Sequence, residues 1–379
     1  MISNYLYYKS RRSVLLIVFT LLRASIVYAG VPESSKVFYG GFAFAGNASE
    51  TTTNYPVAVS LDETAGPTTH FFETQCRDFI RKNAQGFKGV SVLFDIARPE
   101  DTPLVLAIAL SDEKILQEQL GDIHKLVIQL GLEILVLDFR AMEVVSSRPI
   151  CIELIDARKE TYSADDIRAR MRTMVEGDNS QLFEAIKTKL ESVSAVGKNQ
   201  CNIQIRTVAI GEKALPFLPE TYRKAMTAYA QTVAQQFGSY LTSQAGIALL
   251  PYSKDGLNSK MSLRFTDAST LQFKIPSPTF ALDVSVKGFK KVLSKSTEAE
   301  ALWIYGAFLD VRVYEPEFNQ VYFEHPIKYG VSKVVPASQK TVDEFPVVSE
   351  ALKGAFITAI EQMQSDKNTN EKVLLKCKL

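Results

Sequence analysis

Apolar residues along this chain follow two rhythms, alternation with period two and recurrence every three or four positions, and the switches between them mark out the elements. Positions 37–45 (VFYGGFAFA) read as a strand. A helix follows over about 69–82, where Phe72, Cys76, Phe79 and Ile80 make one stripe, and then a strand over 90–97. The segment 125–139 is nearly continuous in its apolarity, which suits a central strand covered by a helix. The run Ile152-Glu153-Leu154-Ile155-Asp156 is less continuous and suits the outer strand of a hairpin, with helices over 164–175 and 182–193 closing this half.

From residue 202 the same order starts again. A strand over 202–210 precedes a helix over 220–241, whose Tyr222, Met226, Tyr229, Val233, Phe237 and Tyr240 fall at helical spacing. A short strand over 247–250, a long one over 301–314 and a helix over 346–363 complete it. The strands 125–139 and 301–314 exceed the usual length of about five or six residues. Leu137-Asp138-Phe139-Arg140 and Leu309-Asp310-Val311-Arg312 end these strands and are each followed by Pro-Ile, at Pro149-Ile150 and Pro326-Ile327. These matches predict a duplication, with Asp138, Arg140, Asp310 and Arg312 at equivalent turns. The distance to Pro-Ile is longer in the second copy, which predicts a longer loop there whose exposed Tyr314 and Phe318, beside Glu315, form a candidate surface for a partner protein. The expected fold is α/β (α+β): two similar domains, 30–193 and 201–379, joined by a linker at 194–200, each a mixed sheet with a long β-hairpin packed against helices.

An opening strand, a helix, a long hairpin and a strand reading Ile152-Glu153-Leu154-Ile155-Asp156-Ala157 together resemble the α/β modules of envelope proteins. The comparison is with the TolB amino-terminal domain and the CsgG family, over about 37–193 and more loosely 200–364. The resemblance implies a non-catalytic module of envelope assemblies. It does not extend to pore formation, because no alternating strand pair is long enough for a membrane barrel.

The amino terminus changes where this fold is expected to work. Lys9, Arg11 and Arg12 precede an uncharged run, 14–22 (VLLIVFTLL), and Val27 and Ala29 supply small residues before Gly30. That pattern predicts a signal peptide over 1–29, cleaved after Ala29, and a periplasmic or secreted protein. Arg11-Arg12 also resembles a twin-arginine motif, but Leu16 stands where a basic residue is usual, which favours the general secretory route. No cysteine follows the cleavage point, so contact with a membrane is expected only through partners or the signal peptide. The chain has 43 Lys and Arg against 42 Asp and Glu. Loss of the basic leader turns that balance slightly acidic, which speaks against nucleic-acid binding.

Candidate chemistry is sparse. His70, His124 and His325 lie too far apart in sequence to form a metal motif, and no HExxH, CxxC, P-loop or nucleophile elbow occurs, so no metal or cofactor is expected. Gly40 and Gly41 in a strand point to a bulge rather than a phosphate cradle. Asp138 and Asp310 are read as turn caps rather than an acid–base pair. Of the four cysteines, Cys76 and Cys151 read as buried thiols, while Cys201 and Cys377 sit at polar boundaries where a bridge would close the second half. The leading expectation is therefore a non-enzymatic component of a cell-envelope complex that binds other envelope proteins or further copies of itself. The alternatives are a small-ligand or glycan-binding periplasmic protein and a secreted hydrolase with a dispersed site.

Overall fold

The strand Ile123–Asp138 is buried at nearly every position, whereas Gln320–Pro336 is buried at three, and that contrast between two strands of the same kind organises the molecule. The structure, a computed structural model, describes residues 35–46, 48–63, 70–87, 90–94, 104–191, 201–253, 260–339 and 341–378. The expected leader, its cleavage point after Ala29 and the expected linker 194–200 lie outside these residues.

The first half comprises β1 (Ser35–Ala45), α1 (Thr51–Asn54), α2 (Pro56–Glu63), α3 (Phe71–Asn83), β2 (Val90–Leu93), β3 (Leu104–Leu120), β4 (Ile123–Asp138), β5 (Glu143–Arg158), α4 (Ala164–Val175) and α5 (Gln181–Glu191). The second comprises β6 (Ile203–Lys213), α6 (Glu220–Lys224), α7 (Met226–Ala245), β7 (Leu249–Leu250), β8 (Lys260–Phe265), β9 (Thr270–Lys274), β10 (Phe280–Ser296), β11 (Glu300–Glu315), β12 (Gln320–Pro336), α8 (Phe345–Ser365) and α9 (Lys367–Thr369). The fold is mixed α/β. In each half the opening strand pairs in parallel with the first strand of an antiparallel three-stranded meander, β1 with β3 and β6 with β10.

The halves share one sheet rather than forming two. Its order is β12-β11-β10-β6-β7-β5-β4-β3-β1-β8-β9, with β2 also beside β1, and Ser35–Leu379 is a single compact unit. The two-residue β7 is the bridge, touching β5 at Ser147 and β6 at Ile203 and Gln204. A second link is the β8–β9 hairpin, which belongs to the second half in sequence yet pairs with β1 of the first. Because β9 also meets β5 at Glu143–Lys274, six strands close into a ring: β5, β4, β3, β1, β8 and β9. Its interior holds Ala43, Val105, Ala107, Leu135, Leu137, Leu263 and Phe273.

The opposite face of the first-half sheet is covered by α2–α5 around Phe42, Phe72, Phe79 and Phe183. The second half packs α7 and α8 on its own sheet, with Phe237 and Phe356 meeting edge to face at 5.2 Å. Helix α7 is buried on almost all sides, because its other surface lies on β5 and β4 of the first half. Its Gly238 comes close to Pro149, Leu249 and Ile205, and it ends at Gly246 in the left-handed region, the usual helix stop.

Strand irregularities recur at matching places in the two halves. The β1–β3 register shifts between Tyr39 and Gly41, and the β6–β10 register between Leu282 and Asp283. Gly40 and Gly41 therefore sit in a bulge, where Glu73 of α3 accepts a 2.6 Å bond from the Phe42 amide. Further shifts fall after Leu110 and Val286, and after Val136 and Val313. The β4–β5 and β11–β12 turns, 139–142 and 316–319, end on left-handed Met142 and Asn319.

This register corrects the repeat read from sequence. Pro149 pairs with Glu133, and Pro326 with Asp310. Asp310 is therefore the counterpart of Glu133, not of Asp138, and there is no longer loop in the second hairpin. Asp138 ends β4 and accepts the Ala141 amide at 2.8 Å, with Arg140 exposed in the turn, whereas Asp310 and Arg312 lie within β11. The physical reason is the two-residue period of a strand: an odd slip reverses the face each side chain takes. Leu137 points into the ring interior, while Leu309 points into the helix-covered core.

Candidate functional site

Where the ring meets α7, the first-half sheet leaves a polar cleft of about 310 Å³ lined by Tyr55, Asp112, Lys114, Glu133, Gln231 and Tyr252 among others. The bulge after Leu110 carries Ser111 and Asp112 to this wall, and Asp112 pairs with Lys114. Glu113 turns away and accepts the amides of Val57 and Ala58 at 3.0 and 2.8 Å, satisfying the start of α2. Tyr55 donates to the Ala45 carbonyl at 2.6 Å.

Glu133 is the unusual group. It is buried on β4 between β3 and β5, and accepts a 2.6 Å bond from the Ser147 hydroxyl. Burial pushes its carboxyl up to about 7, and the Ser147 bond works in the opposite sense. A raised folded-state value means that the folded protein favours the protonated form. The contribution of this group to stability is most favourable at low pH and falls as pH rises from about 4.5, where the unfolded group ionises, to about 7. Glu133→Gln keeps the shape and a hydrogen bond to Ser147 without the charge. The expected result is a gain on the order of 2–3 kcal/mol at about pH 8 and little change near pH 4. Urea denaturation at the two pH values measures it, and an equal effect at both would rule out this ionisation as the cause.

As chemistry, the cleft offers two carboxyls, Asp112 paired with Lys114 and Glu133 raised by burial. His70 is engaged elsewhere, with Nδ1 2.8 Å from Asp62 at the start of α3, and His325 is exposed on β12 beside Phe323. Among the described residues, no three His, Cys, Asp or Glu side chains are placed to hold a metal ion.

The sequence candidates are dispersed. Cys201, at the start of β6, is joined by a disulfide to Cys377 in the tail, with Cα atoms 5.0 Å apart. Cys76 and Cys151 are free thiols, and burial pushes Cys151 up to about 12. Around the second hairpin, Tyr314 is not exposed as expected. It is 7 % exposed, accepts a bond from Arg206 at 3.2 Å and lies under the Arg312 guanidinium. The cause is its place inside β11 rather than in a loop. Glu315 accepts from Tyr322 at 3.2 Å, and Phe318 alone of the three stands out, at 70 % exposure. Asp310 pairs with Lys287 at 2.8 Å, and Arg312 donates to Asn319 at 3.0 Å.

What the sequence reading missed is a face. On β10–β12, the side of the sheet away from α7 and α8 has no covering element among the described residues, and Val292, Ile304 and Phe308 are 44, 40 and 39 % exposed there. An apolar groove of about 980 Å³ crosses it, lined by Phe308, Pro326 and Ile327 and edged by Lys213, Lys287, Lys290 and Lys328.

No family model matches the chain, and no curated protein matches it either. Among solved structures, it is similar to a neuraminyllactose-binding hemagglutinin homolog from Helicobacter pylori, at 12% identity and a TM-score of 0.28, covering 47% of this chain and 92% of that one. It is also similar to the hypothetical protein CT253 from Chlamydia trachomatis (12%, 0.27, 44% and 96%). A third is a minor lipoprotein from Acinetobacter baumannii (10%, 0.22, 45% and 93%).

Proposed function

We propose that this chain is an exported, non-enzymatic component of a cell-envelope complex that works by binding other proteins. The observation that carries the reading is the asymmetry between the halves. One sheet face is closed in the first half by α7 and the β8–β9 hairpin, while among the described residues nothing covers the corresponding face of the second half, which exposes Val292, Ile304 and Phe308. Contiguous exposed apolar surface with a polar rim is the usual mark of a protein interaction site. The recurring bulges support descent from a tandem duplication, since bulges are kept within families, and kinship with TolB-like and CsgG-like modules is part of the same proposal.

The test is gel filtration of envelope fractions solubilised in mild detergent. The protein is expected to elute well above its 42.2 kDa chain mass together with other proteins. Elution as a lone monomer would sink the reading. A second reading, a small-ligand binder, rests on the Glu133 cleft. A thermal shift with one class of polar compound, lost in Glu133→Gln, would favour it.

A further inference from the structure

The apolar groove of the second half occupies the same place in its sheet as a helix seat in the first. Helix α7 lies on the first half at three points. Gln231 and Gln235 donate to the Ser111 carbonyl and hydroxyl at 2.9 and 2.6 Å, at the bulge after Leu110. Gln235 fills the space over Gly131, where a Cβ would lie 1.9 Å from its Oε1. A Cβ at Gly238 would lie 3.0 Å from Pro149. The strand registers carry these points across. Lys287 occupies the bulge position of Ser111, Phe308 that of Gly131, and Pro326 that of Pro149. All three line the groove.

The neighbouring pair agrees. Leu116 and Val127 pair across β3 and β4 and are buried under the second half's core. Their counterparts Val292 and Ile304 pair across β10 and β11 and are exposed. The first half's seat is filled from within the chain, and the second half's seat is not filled by any described residue.

We propose that the groove docks an amphipathic helix with acidic flanks supplied by a partner protein. The inference rests on the proposed role in protein binding and names the surface and the partner's chemistry. A helix is indicated because the equivalent seat holds one. The charge follows from the rim. Helix α7 carries no charged residue, and its seat offers Ser111, Gly131 and Pro149. The second seat presents Lys213, Lys287, Lys290 and Lys328 against Asp310. Complementary charge around an apolar centre governs partner choice and association rate. Phe308 in place of Gly131 makes the occupant ride higher than α7 and supplies an aromatic anchor of the kind that dominates such interfaces.

The probe is a fluorescein-labelled peptide with the sequence of residues 226–245 and glutamates added at both ends, titrated with the full chain and read by anisotropy. A version with lysines at both ends is the comparison. The acidic peptide is expected to bind saturably, at least about tenfold more tightly than the lysine version, and more weakly as salt rises. Phe308→Asp is expected to weaken it by at least about tenfold, while Phe318→Asp, exposed but outside the groove, leaves it unchanged. Far-UV spectra identical to the parent show that the variants fold. No saturable binding, or binding indifferent to Phe308→Asp, overturns the groove. A dimer of the unmodified chain that dissociates in Phe308→Asp overturns the partner-helix assignment in favour of a second copy. An envelope complex that persists in Phe308→Asp leaves the assembly role standing and removes only the groove. Absence of any complex removes the role itself.

Discussion

Breaking the Cys201–Cys377 bridge is expected to lower stability by about 4–5 kcal/mol, because cross-linking a loop this long removes much of the unfolded chain's freedom. The tail has other anchors. Val373 and Leu374 are buried in the second core, and Lys378 bridges to Ile247. These contacts persist in the native state of a Cys201→Ser, Cys377→Ser variant, so the loss falls on the unfolded side of the balance. Urea midpoints of the oxidised and reduced wild type, beside the double variant, measure it. Midpoints that coincide within error would show that the bridge contributes nothing.

Phe237→Ala is expected to cost about 3–5 kcal/mol, the usual range for truncating a fully buried phenylalanine. The informative part is where the loss appears. Phe237 stacks edge to face on Phe356 of α8, and its helix also presses on Gly131 and Pro149 of the first half. Leu116 and Val127 of the first half belong to the same cluster. The damage should therefore reach both halves in one transition. Trp303, the single tryptophan, reports on β11, while far-UV dichroism reports on the whole chain. The two signals are expected to shift together with Phe237→Ala. Separate transitions would show that the halves unfold independently despite their common sheet.

Local patterning carried most of the elements. The stripe of Phe72, Cys76, Phe79 and Ile80 lies in α3, the near-continuous apolarity of 125–139 lies in the strand buried on both faces, and the alternation of 202–210 lies in β6. Register was harder to read. The Leu-Asp-x-Arg match aligned residues of the same type on opposite faces, and only pairing partners such as Glu133–Pro149 and Asp310–Pro326 reveal the slip. The Pro-Ile match was in register. The open face could not be seen because cover is a long-range property. Leu116 and Val292 are alike in sequence terms, and their difference depends on whether the second half's core lies above them. Glu133 was invisible for a similar reason: burial raises its carboxyl, in a cleft walled partly by residues as remote in sequence as Gln231 and Tyr252.

The hairpin that closes the ring also sets a schedule for synthesis. Ala43 on β1 waits for Phe265 on β8, and Leu263 and Phe273 complete the apolar interior begun by Val105 and Leu135. A chain made from its amino terminus must hold that interior open until most of its length has emerged, because contacts so distant in sequence form late. The first half is thus left with unpaired strand edge and bare apolar surface during biogenesis, the condition in which chains stick to one another. A holding chaperone that covers β1 and β3 until the hairpin arrives would serve this protein more than one that acts on its finished form.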